Sequence, residues 1–251
     1  MRIAPFIALL GAVLVAAPLA AQAEESLPHP GWSFTGPFGT YDRAAAQRGF
    51  QIYKEVCSNC HSLKEAYYRN LEQIGFSEAQ VKAIAAQFTV PTIGDDGQPA
   101  ERPALPSDHF KSPFPNEKAA RAALGGALPP DLSLIVNARE GGPDYVYGVL
   151  TGYGDPPAGM KIGNGMHYNK AFPGHQIAMP QPLQADSVTY TDGTKATLDQ
   201  EAHDVVTFLT FVANPEMEQR KRTGVKVVLF LALLTGVTYA VKRKVWADVH
   251  H

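Results

Sequence analysis

Two continuous apolar blocks flank a long middle region in which apolar residues recur at helical spacing. The first block, Ile3 to Ala17, follows Arg2 and leads to the small residues Ala21-Gln22-Ala23. A positive start, an apolar stretch and a small-residue site are together typical of a secretory signal peptide. The pattern therefore predicts a signal peptide over residues 1–23 and an exported mature chain.

The second block, Val225 to Val241, predicts a transmembrane helix. It is apolar apart from Lys226, and seventeen helical residues span about 25 Å, at the short end of what a bilayer requires. Basic triplets flank it on both sides, so charge does not decide its orientation, whereas the signal peptide does. We expect an exported domain over 24–219, a transmembrane helix with basic flanks over 220–244, and a cytoplasmic tail over 245–251.

Between the blocks, apolar periodicity and capping residues predict a mainly α domain with long loops. The expected helices run over 43–56 after the cap Asp42, 64–71, 77–88 after Ser77, 116–124 after Asn116, 132–139, 143–150 and 197–213. Gly49 inside the first helix predicts a close helix–helix crossing, because glycine costs about 1 kcal/mol there.

The loops carry less pattern than the helices. Residues 89–116 show neither helix nor strand periodicity, and residues 155–183 show little regular structure. Asp192-Gly193 stands between two short β-favouring runs, 188–190 and 195–197, and predicts a hairpin.

Charge is divided between the exported domain and the anchor. The chain has 251 residues, 45% of them hydrophobic and 18% charged, which suits one or two domains with an apolar core. Residues 24–216 carry 14 Lys and Arg against 22 Asp and Glu, a net charge of −8, whereas residues 217–251 have a net charge of +5. An acidic exported domain suits a basic soluble partner and argues against nucleic-acid binding.

The candidate chemistry lies in one pentapeptide, Cys57-Ser58-Asn59-Cys60-His61, which contains the only two cysteines of the sequence. Cys-x-x-Cys-His is the attachment pattern of c-type haem. Two thiols three residues apart can form thioethers with the haem vinyl groups, and the next residue carries an imidazole for the iron. We therefore predict one covalently bound haem c on Cys57 and Cys60, with His61 as an axial ligand and the haem at the centre of the domain.

Three other interpretations of the pentapeptide stay open, of which a chance match to the motif is the simplest. A redox disulfide between the two cysteines is another, although such motifs normally follow a strand and a helix is expected before Cys57. A zinc site is the third. A structural zinc ion needs four ligands, and because no second cysteine pair exists, histidines would have to complete them.

The second axial ligand is left open by local sequence alone. Met160 and Met166 lie in a glycine-rich run, Met217 lies beside the predicted anchor, and Met179 is followed by Pro180-Gln181-Pro182. Two prolines stiffen the Met179 loop and lower the entropy lost in fixing its side chain, which favours Met179. The histidines that could serve instead are His29, His109, His167, His175 and His203.

Several segments together resemble the cytochrome c1 family over nearly all of the mature chain. The resemblance rests on the haem motif, Pro129-Pro130-Asp131-Leu132-Ser133, Ala138-Arg139-Glu140-Gly141-Gly142, Asp144-Tyr145-Val146, Leu150-Thr151-Gly152-Tyr153, Tyr168-Asn169, Phe172-Pro173-Gly174, Ile177-Ala178-Met179 and the basic triplet before the apolar helix. Two features depart from the family pattern. Leu124-Gly125-Gly126 stands where mitochondrial relatives carry asparagines, and no cysteine pair exists beyond the haem motif.

The resemblance implies a cytochrome c-like haem domain and assigns roles to residues. Met179 would be the sixth ligand of the haem iron. Arg139 would pair with a haem propionate, since a guanidinium fork matches a carboxylate. Pro130 and Tyr145 would line the haem.

The resemblance also implies a function, that of the electron-transfer subunit of the quinol–cytochrome c oxidoreductase, or bc1 complex. The chain alone would have no turnover. The expected partners are the cytochrome b subunit, the Rieske iron–sulfur protein and a soluble basic cytochrome c, within a dimeric complex in the bacterial inner membrane, with the haem domain in the periplasm. The alternatives are a tethered cytochrome c that feeds a terminal oxidase and an exported thiol–disulfide oxidoreductase.

Overall fold

The computed structural model describes residues 27–249, and in that range the chain is mainly helical, as predicted. Its helices are α1 (Arg43–Glu55), α2 (Glu78–Ala85), α3 (Glu117–Ala123), α4 (Gly142–Thr151), α5 (Leu198–Ala213) and α6 (Met217–Val245), with short 3₁₀ helices at Cys57–Asn59, Tyr68–Ile74 and Pro173–His175. Two antiparallel ladders pair β1 (Thr89–Ile93) with β2 (Pro99–Pro103) and β3 (His167–Tyr168) with β4 (Gln176–Ile177). The predicted signal peptide, 1–23, lies outside the described residues.

Helices α1 and α5 cross closely at the centre of the domain. Asp42 and Thr197 each accept a hydrogen bond from a backbone amide in the first turn of their helix, so the expected N-cap Asp42 is confirmed and Thr197 caps α5. A Cβ atom on Gly49 would overlap the Asp204 carbonyl of α5. The close crossing expected from Gly49 is therefore confirmed, and a side chain there would force the two helices apart.

The polypeptide builds an apolar core of its own, and the position of the haem relative to that core stays a prediction. The largest fully buried apolar side chains include Ile52, Tyr53, Leu63, Tyr68, Leu71, Ile74, Val81, Leu183, Val205, Phe208 and Phe211. Arg48 of α1 donates to both carboxylate oxygens of Asp204, at 2.7 and 3.0 Å, so the buried charge at the crossing is paired. The haem motif follows α1 directly and lies at the edge of this core.

Residues 89–116, expected to lack strands, contain the β1–β2 hairpin. Prolines occupy three of its ten strand positions, which removes backbone donors and weakens the strand pattern in the sequence. The Arg102 guanidinium donates to both oxygens of Asp108, at 2.6 and 2.9 Å, and fixes the base of the hairpin. The hairpin thus depends on contacts outside its strands, which local periodicity does not reveal.

Other element predictions are wrong in detail, because tertiary hydrogen bonds override local preference. Residues 132–139 form bends and turns rather than a helix, and the Leu132 amide at their start donates to the Ser62 carbonyl. The helix expected over 64–71 is displaced to the 3₁₀ helix at Tyr68–Ile74. Residues 188–197 form bends and a turn instead of a hairpin, and the Val188 amide donates to Glu201 of α5.

Helix α6 is long and apolar enough to span a membrane, as predicted from residues 225–241. Its first turns are attached to the first residue of α1 and to the segment before it. Glu218 accepts two hydrogen bonds from the Arg43 guanidinium, at 2.8 and 2.9 Å, and one from the Tyr41 amide at 2.8 Å. Lys221 Nζ donates to two backbone carbonyls of residues 34–39, at 2.6 and 3.1 Å. The start of α6 is therefore attached to the domain by side-chain contacts as well as by the chain.

Candidate haem site

Helix α1 presents the cysteine pentapeptide as one tight turn. The amides of Cys60 and His61 both donate to the Cys57 carbonyl, at 3.1 and 2.9 Å. The Ser58 hydroxyl donates to the Lys54 carbonyl at 2.8 Å, which ties the turn to the last turn of α1. Both thiols are free and half-buried. The turn thus offers two thiols and an imidazole within five residues, as two-point attachment of a haem requires.

The surroundings of Cys57 disfavour the thiol–disulfide alternative. Burial raises the pKa of the Cys57 thiol to about 12, and the Cys60 thiol adds to the effect. Reactive cysteines of disulfide oxidoreductases have a lowered pKa, because the thiolate is the nucleophile. The motif also follows a helix and not a strand.

The zinc alternative also loses support. Among residues 27–249, no three His, Cys, Asp or Glu side chains are grouped closely enough to hold a metal ion. A structural zinc site needs four such ligands at close range.

His61 is held in the form that a haem iron requires. Its Nδ1 lies 2.8 Å from the Pro130 carbonyl oxygen, so Nδ1 carries the proton and donates. That hydrogen bond leaves the Nε2 lone pair for a metal. Burial lowers the pKa of the His61 imidazole and outweighs the opposing effects of the Pro130 carbonyl and of Asp131. His61, predicted as an axial ligand, and Pro130, which the resemblance placed beside the haem, are thus brought into direct contact.

Asp131 joins the segment after His61 to the segment after Pro130. Its carboxylate accepts hydrogen bonds from the Ser62 hydroxyl at 2.7 Å, the Lys64 amide at 2.9 Å and the Ser133 amide at 2.9 Å. Burial opposes ionisation of Asp131, but the hydrogen bonds outweigh it and hold the pKa of the carboxyl below its usual value. The Ser133 hydroxyl completes the join by accepting from the Glu65 amide at 3.0 Å.

The sequence reasoning missed Asp131 as a site residue. A signal was present in part, because an Asp that accepts from the amide two residues on forms an Asx-turn, which Asp131 makes with Ser133. The partners at Ser62 and Lys64 are distant in sequence, and no local pattern indicates them.

Arg139 and Tyr145 lie together at the start of α4. Tyr145 is half-buried, and burial raises its pKa against the opposing charge of Arg139, which is exposed. Asp144, in the first turn of α4, accepts from the Trp32 indole at 2.6 Å and lies 2.8 Å from His29 Nδ1. The arm before α1 is therefore attached to the first turn of α4, next to Tyr145 in sequence.

Met179 lies in a separate loop, after the β3–β4 ladder. Its side chain is half-buried, and its backbone carbonyl accepts a hydrogen bond from the Tyr153 hydroxyl at 3.0 Å. Asn169, fully buried, donates to the Val149 carbonyl at 2.7 Å and connects the same region to α4. Tyr153 and Asn169 belong to segments that carried the family resemblance, but their hydrogen bonds were not expected.

The alternative ligands are mostly engaged elsewhere. His29 contacts Asp144, and His203 stacks on Trp32 with ring centres 4.9 Å apart. The His109 ring lies tilted against that of Tyr67 with ring centres 3.9 Å apart, and His175 Nδ1 contacts the Lys170 carbonyl at 3.0 Å. His167 is exposed in β3, Met217 is buried at the start of α6, and Met160 and Met166 are half-buried in the glycine-rich loop.

Known proteins match this chain over almost its whole length. The family model described as "Cytochrome C1 family" matches residues 32–249. "Cytochrome c1" of Rhodospirillum rubrum is 48% identical over 252 residues, covering 92% of this chain and 93% of that protein. "Cytochrome c1, heme protein, mitochondrial" of Saccharomyces cerevisiae is 48% identical, over 90% of this chain and 75% of that protein. "Cytochrome b/c1" of Bradyrhizobium diazoefficiens is 48% identical over 91% of this chain, which spans 37% of that longer protein.

The family model covers residues 32–249, and the relatives are close to 50% identical to this chain, so both comparisons point to the same family. They agree with the helical fold and with the cysteine turn beside His61. The chain belongs to the cytochrome c1 family.

Proposed function

We propose that this chain is the membrane-anchored haem subunit of a bc1-type quinol–cytochrome c oxidoreductase. It takes electrons from a Rieske iron–sulfur protein and passes them to a soluble basic cytochrome c. Family membership supports a redox electron-transfer subunit of a respiratory oxidoreductase. The observation that carries the proposal is the hydrogen bond of 2.8 Å between His61 Nδ1 and the Pro130 carbonyl, beside a turn with two free thiols.

The residues of the turn fit a covalently attached haem c. Cys57 and Cys60 form the two thioethers, and the backbone bonds to the Cys57 carbonyl hold their spacing. His61 offers Nε2 to the iron, because its Nδ1 proton is engaged by Pro130. When bound, the haem supplies a one-electron couple at a saturated iron, which disfavours oxygen chemistry.

Met179, Arg139 and Tyr145 complete the site in this proposal. The Tyr153 hydroxyl donates to the Met179 backbone carbonyl and so positions this loop. The Met179 side chain therefore loses little conformational entropy when its sulfur binds the iron. Arg139 is exposed and can pair with a propionate. Tyr145 is half-buried beside Arg139 and excludes water from the haem edge.

The proposed assembly follows from the anchor and from the charge. Helix α6 holds the domain at a bacterial inner membrane with the haem in the periplasm, next to the cytochrome b subunit in a dimeric complex. The fused "Cytochrome b/c1" relative supports that neighbour. The net charge of −8 over residues 24–216 favours encounter with a basic cytochrome c.

Haem staining after denaturing electrophoresis tests the proposal. The protein from cells with a working haem-attachment system should give a coloured band, and Cys57→Ser with Cys60→Ser should abolish it. The matched control is Ser58→Ala, which changes the same turn and leaves both thiols. A colourless band from the unaltered protein would contradict the proposal, and co-purification with cytochrome b and a Rieske protein separates this function from a tethered oxidase donor.

A further inference from the structure

Asp131 carries a negative charge that no nearby cation balances. Its carboxylate accepts from the Ser62 hydroxyl and from the backbone amides of Lys64 and Ser133, and all three donors are neutral. Among residues 27–249, no Lys, Arg or His nitrogen forms an ion pair with Asp131 within 4.0 Å. Because the hydrogen bonds hold the pKa of this carboxyl below its usual value, the group is ionised near neutral pH.

Other carboxylates of the domain are compensated by arginines. Asp204 lies 2.7 Å from Arg48, and Asp108 lies 2.6 Å from Arg102, so each charge is balanced within its own contact. Neutral donors satisfy the oxygen atoms of Asp131 and favour its charged form, but they do not remove the charge. The field of Asp131 therefore extends to neighbouring groups.

The His61 imidazole is the group beside Asp131 that such a field can affect. His61 Nδ1 lies 2.8 Å from the carbonyl oxygen of Pro130, the residue directly before Asp131, and Ser62 directly follows His61. Burial lowers the pKa of the His61 imidazole, whereas the Pro130 carbonyl and the Asp131 charge act in the opposite direction. The carboxylate is thus close enough to act on the ring without pairing with it.

A fixed negative charge near an iron ligand has a definite effect on a one-electron couple. Oxidised iron carries one more positive charge than reduced iron, so the carboxylate stabilises the oxidised form more. Groups that hold a ligating histidine also raise its basicity, which favours the oxidised form as well. Both effects lower the reduction potential.

We propose that Asp131 is a positioning residue for His61 and that its uncompensated charge lowers the reduction potential of the haem iron. The inference rests on the proposed function, in which His61 ligates the iron. The hydrogen bonds of Asp131 hold the segment after His61 in place, and its charge sets the potential. A lower potential makes the haem a better donor to its acceptor, so Asp131 favours transfer of the electron out of the domain.

Potentiometric titration of the haem-loaded, full-length protein tests the role of the charge. Asp131→Asn removes the charge and keeps an amide oxygen as an acceptor. The equilibrium with a one-electron reference couple should shift towards reduced haem by about 5-fold or more, which corresponds to about 40 mV. A purely structural role predicts the opposite sign, because a loosened segment admits water, and water favours the more highly charged oxidised iron.

Two further variants separate the charge from the hydrogen bonds. Asp96→Asn removes the same charge at the exposed tip of the β1–β2 hairpin and should leave the potential unchanged. Ser62→Ala removes one donor and leaves the Asp131 carboxylate charged, so the potential should stay level or fall.

The possible outcomes are distinct. An unchanged or lower potential in Asp131→Asn would overturn the inference, and so would an equal rise in Asp96→Asn. A rise in Ser62→Ala would also overturn it, and that measurement decides the question if Asp131→Asn does not fold. Absence of covalent haem from the unaltered protein contradicts the proposed function instead, so the two failures are distinguishable.

Discussion

The two proposed axial ligands lie in segments that are held very differently. His61 follows a tight turn, donates to a backbone carbonyl, and is followed by residues that Asp131 joins to a second segment. In the part of the chain that the structure describes, the side-chain hydrogen bond that reaches Met179 is the one from Tyr153 to its carbonyl. The contrast teaches that one ligand is positioned by a network, whereas the other depends on loop stiffness and a single contact.

The largest expected effect comes from removing the proposed Met179 ligand. Met179→Leu should leave haem attached through Cys57 and Cys60 but remove the sulfur ligand. The potential should then fall by a substantial part of the roughly 0.8 V range that axial ligands cover, and the iron should become open to carbon monoxide. Potentiometric titration and a carbon monoxide difference spectrum measure both. Met166→Leu is the control. If Met179→Leu keeps a methionine-ligated spectrum, the ligand is Met160 or Met166 instead.

The next effect tests the network on the His61 side. Asp131→Ala removes the acceptor of the Ser62 hydroxyl and of two backbone amides, so the free energy of unfolding should fall by about 3 kcal/mol. Denaturant titration measures it. Asp131→Asn keeps one amide oxygen as an acceptor and should cost less. A loss no greater than that of Tyr153→Phe would show that the two sides are equally held.

A smaller effect sharpens the comparison at Tyr153. Tyr153→Phe removes the hydrogen bond to the Met179 carbonyl, which is worth about 1 kcal/mol. The fraction of protein that binds carbon monoxide should rise about five-fold, because Met179 leaves the iron more often. Tyr239→Phe, which removes a hydroxyl from exposed α6, should leave that fraction unchanged. An unchanged fraction in Tyr153→Phe would mean that prolines alone fix the loop.

The smallest effect concerns Glu201 of α5, which accepts a hydrogen bond of 3.1 Å from the amide of Val188, nine residues after Met179. Glu201 is fully buried, its Oε2 has no hydrogen-bond partner among the described residues, and burial raises its pKa. A raised folded-state pKa means that protonated Glu201 favours folding. Its contribution is therefore present below the ordinary value of 4.5 and is lost as pH rises through the folded-state pKa.

Glu201→Gln should accordingly stabilise the protein more at pH 8 than at pH 4. Denaturant titrations at the two pH values measure the change. Glu72→Gln, at an exposed position, is the control and should show no such pH dependence. A loss of stability at pH 8 would mean that the charged carboxylate is preferred in the fold.

The sequence predicted features that depend on neighbours in the chain. The caps Asp42 and Ser77 and the helices after them follow from local side chain to backbone bonds, and Gly49 indicated the crossing because a glycine inside a helix needs a packing reason. The turn at Cys57 is local too. Contacts between distant segments could not be predicted in this way.

The missed features share a physical cause. Asp131 bonds to Ser62, and Arg102 bonds to Asp108 at the base of a proline-rich hairpin. Neither bond follows from a periodic pattern in the sequence. Residues 132–139 have a helical pattern, yet they form bends and turns, and the bond from the Leu132 amide to the Ser62 carbonyl was not expected. The positions of Arg139, Tyr145 and Met179 as haem contacts stay predictions from the family resemblance.

The paired amides of Asn137 and Asn214 have a mechanical consequence. Asn214 Nδ2 donates to Asn137 Oδ1 at 3.0 Å, just before α6 begins, and Asn137 lies seven residues after Pro130. The amide pair therefore braces the start of α6 against the segment that positions the His61 imidazole. Glu218 and Lys221 add further attachments, to α1 and to the arm, so the start of α6 is held to the domain at several points. In the proposed complex, this bracing leaves movement between electron donor and acceptor to the partner proteins.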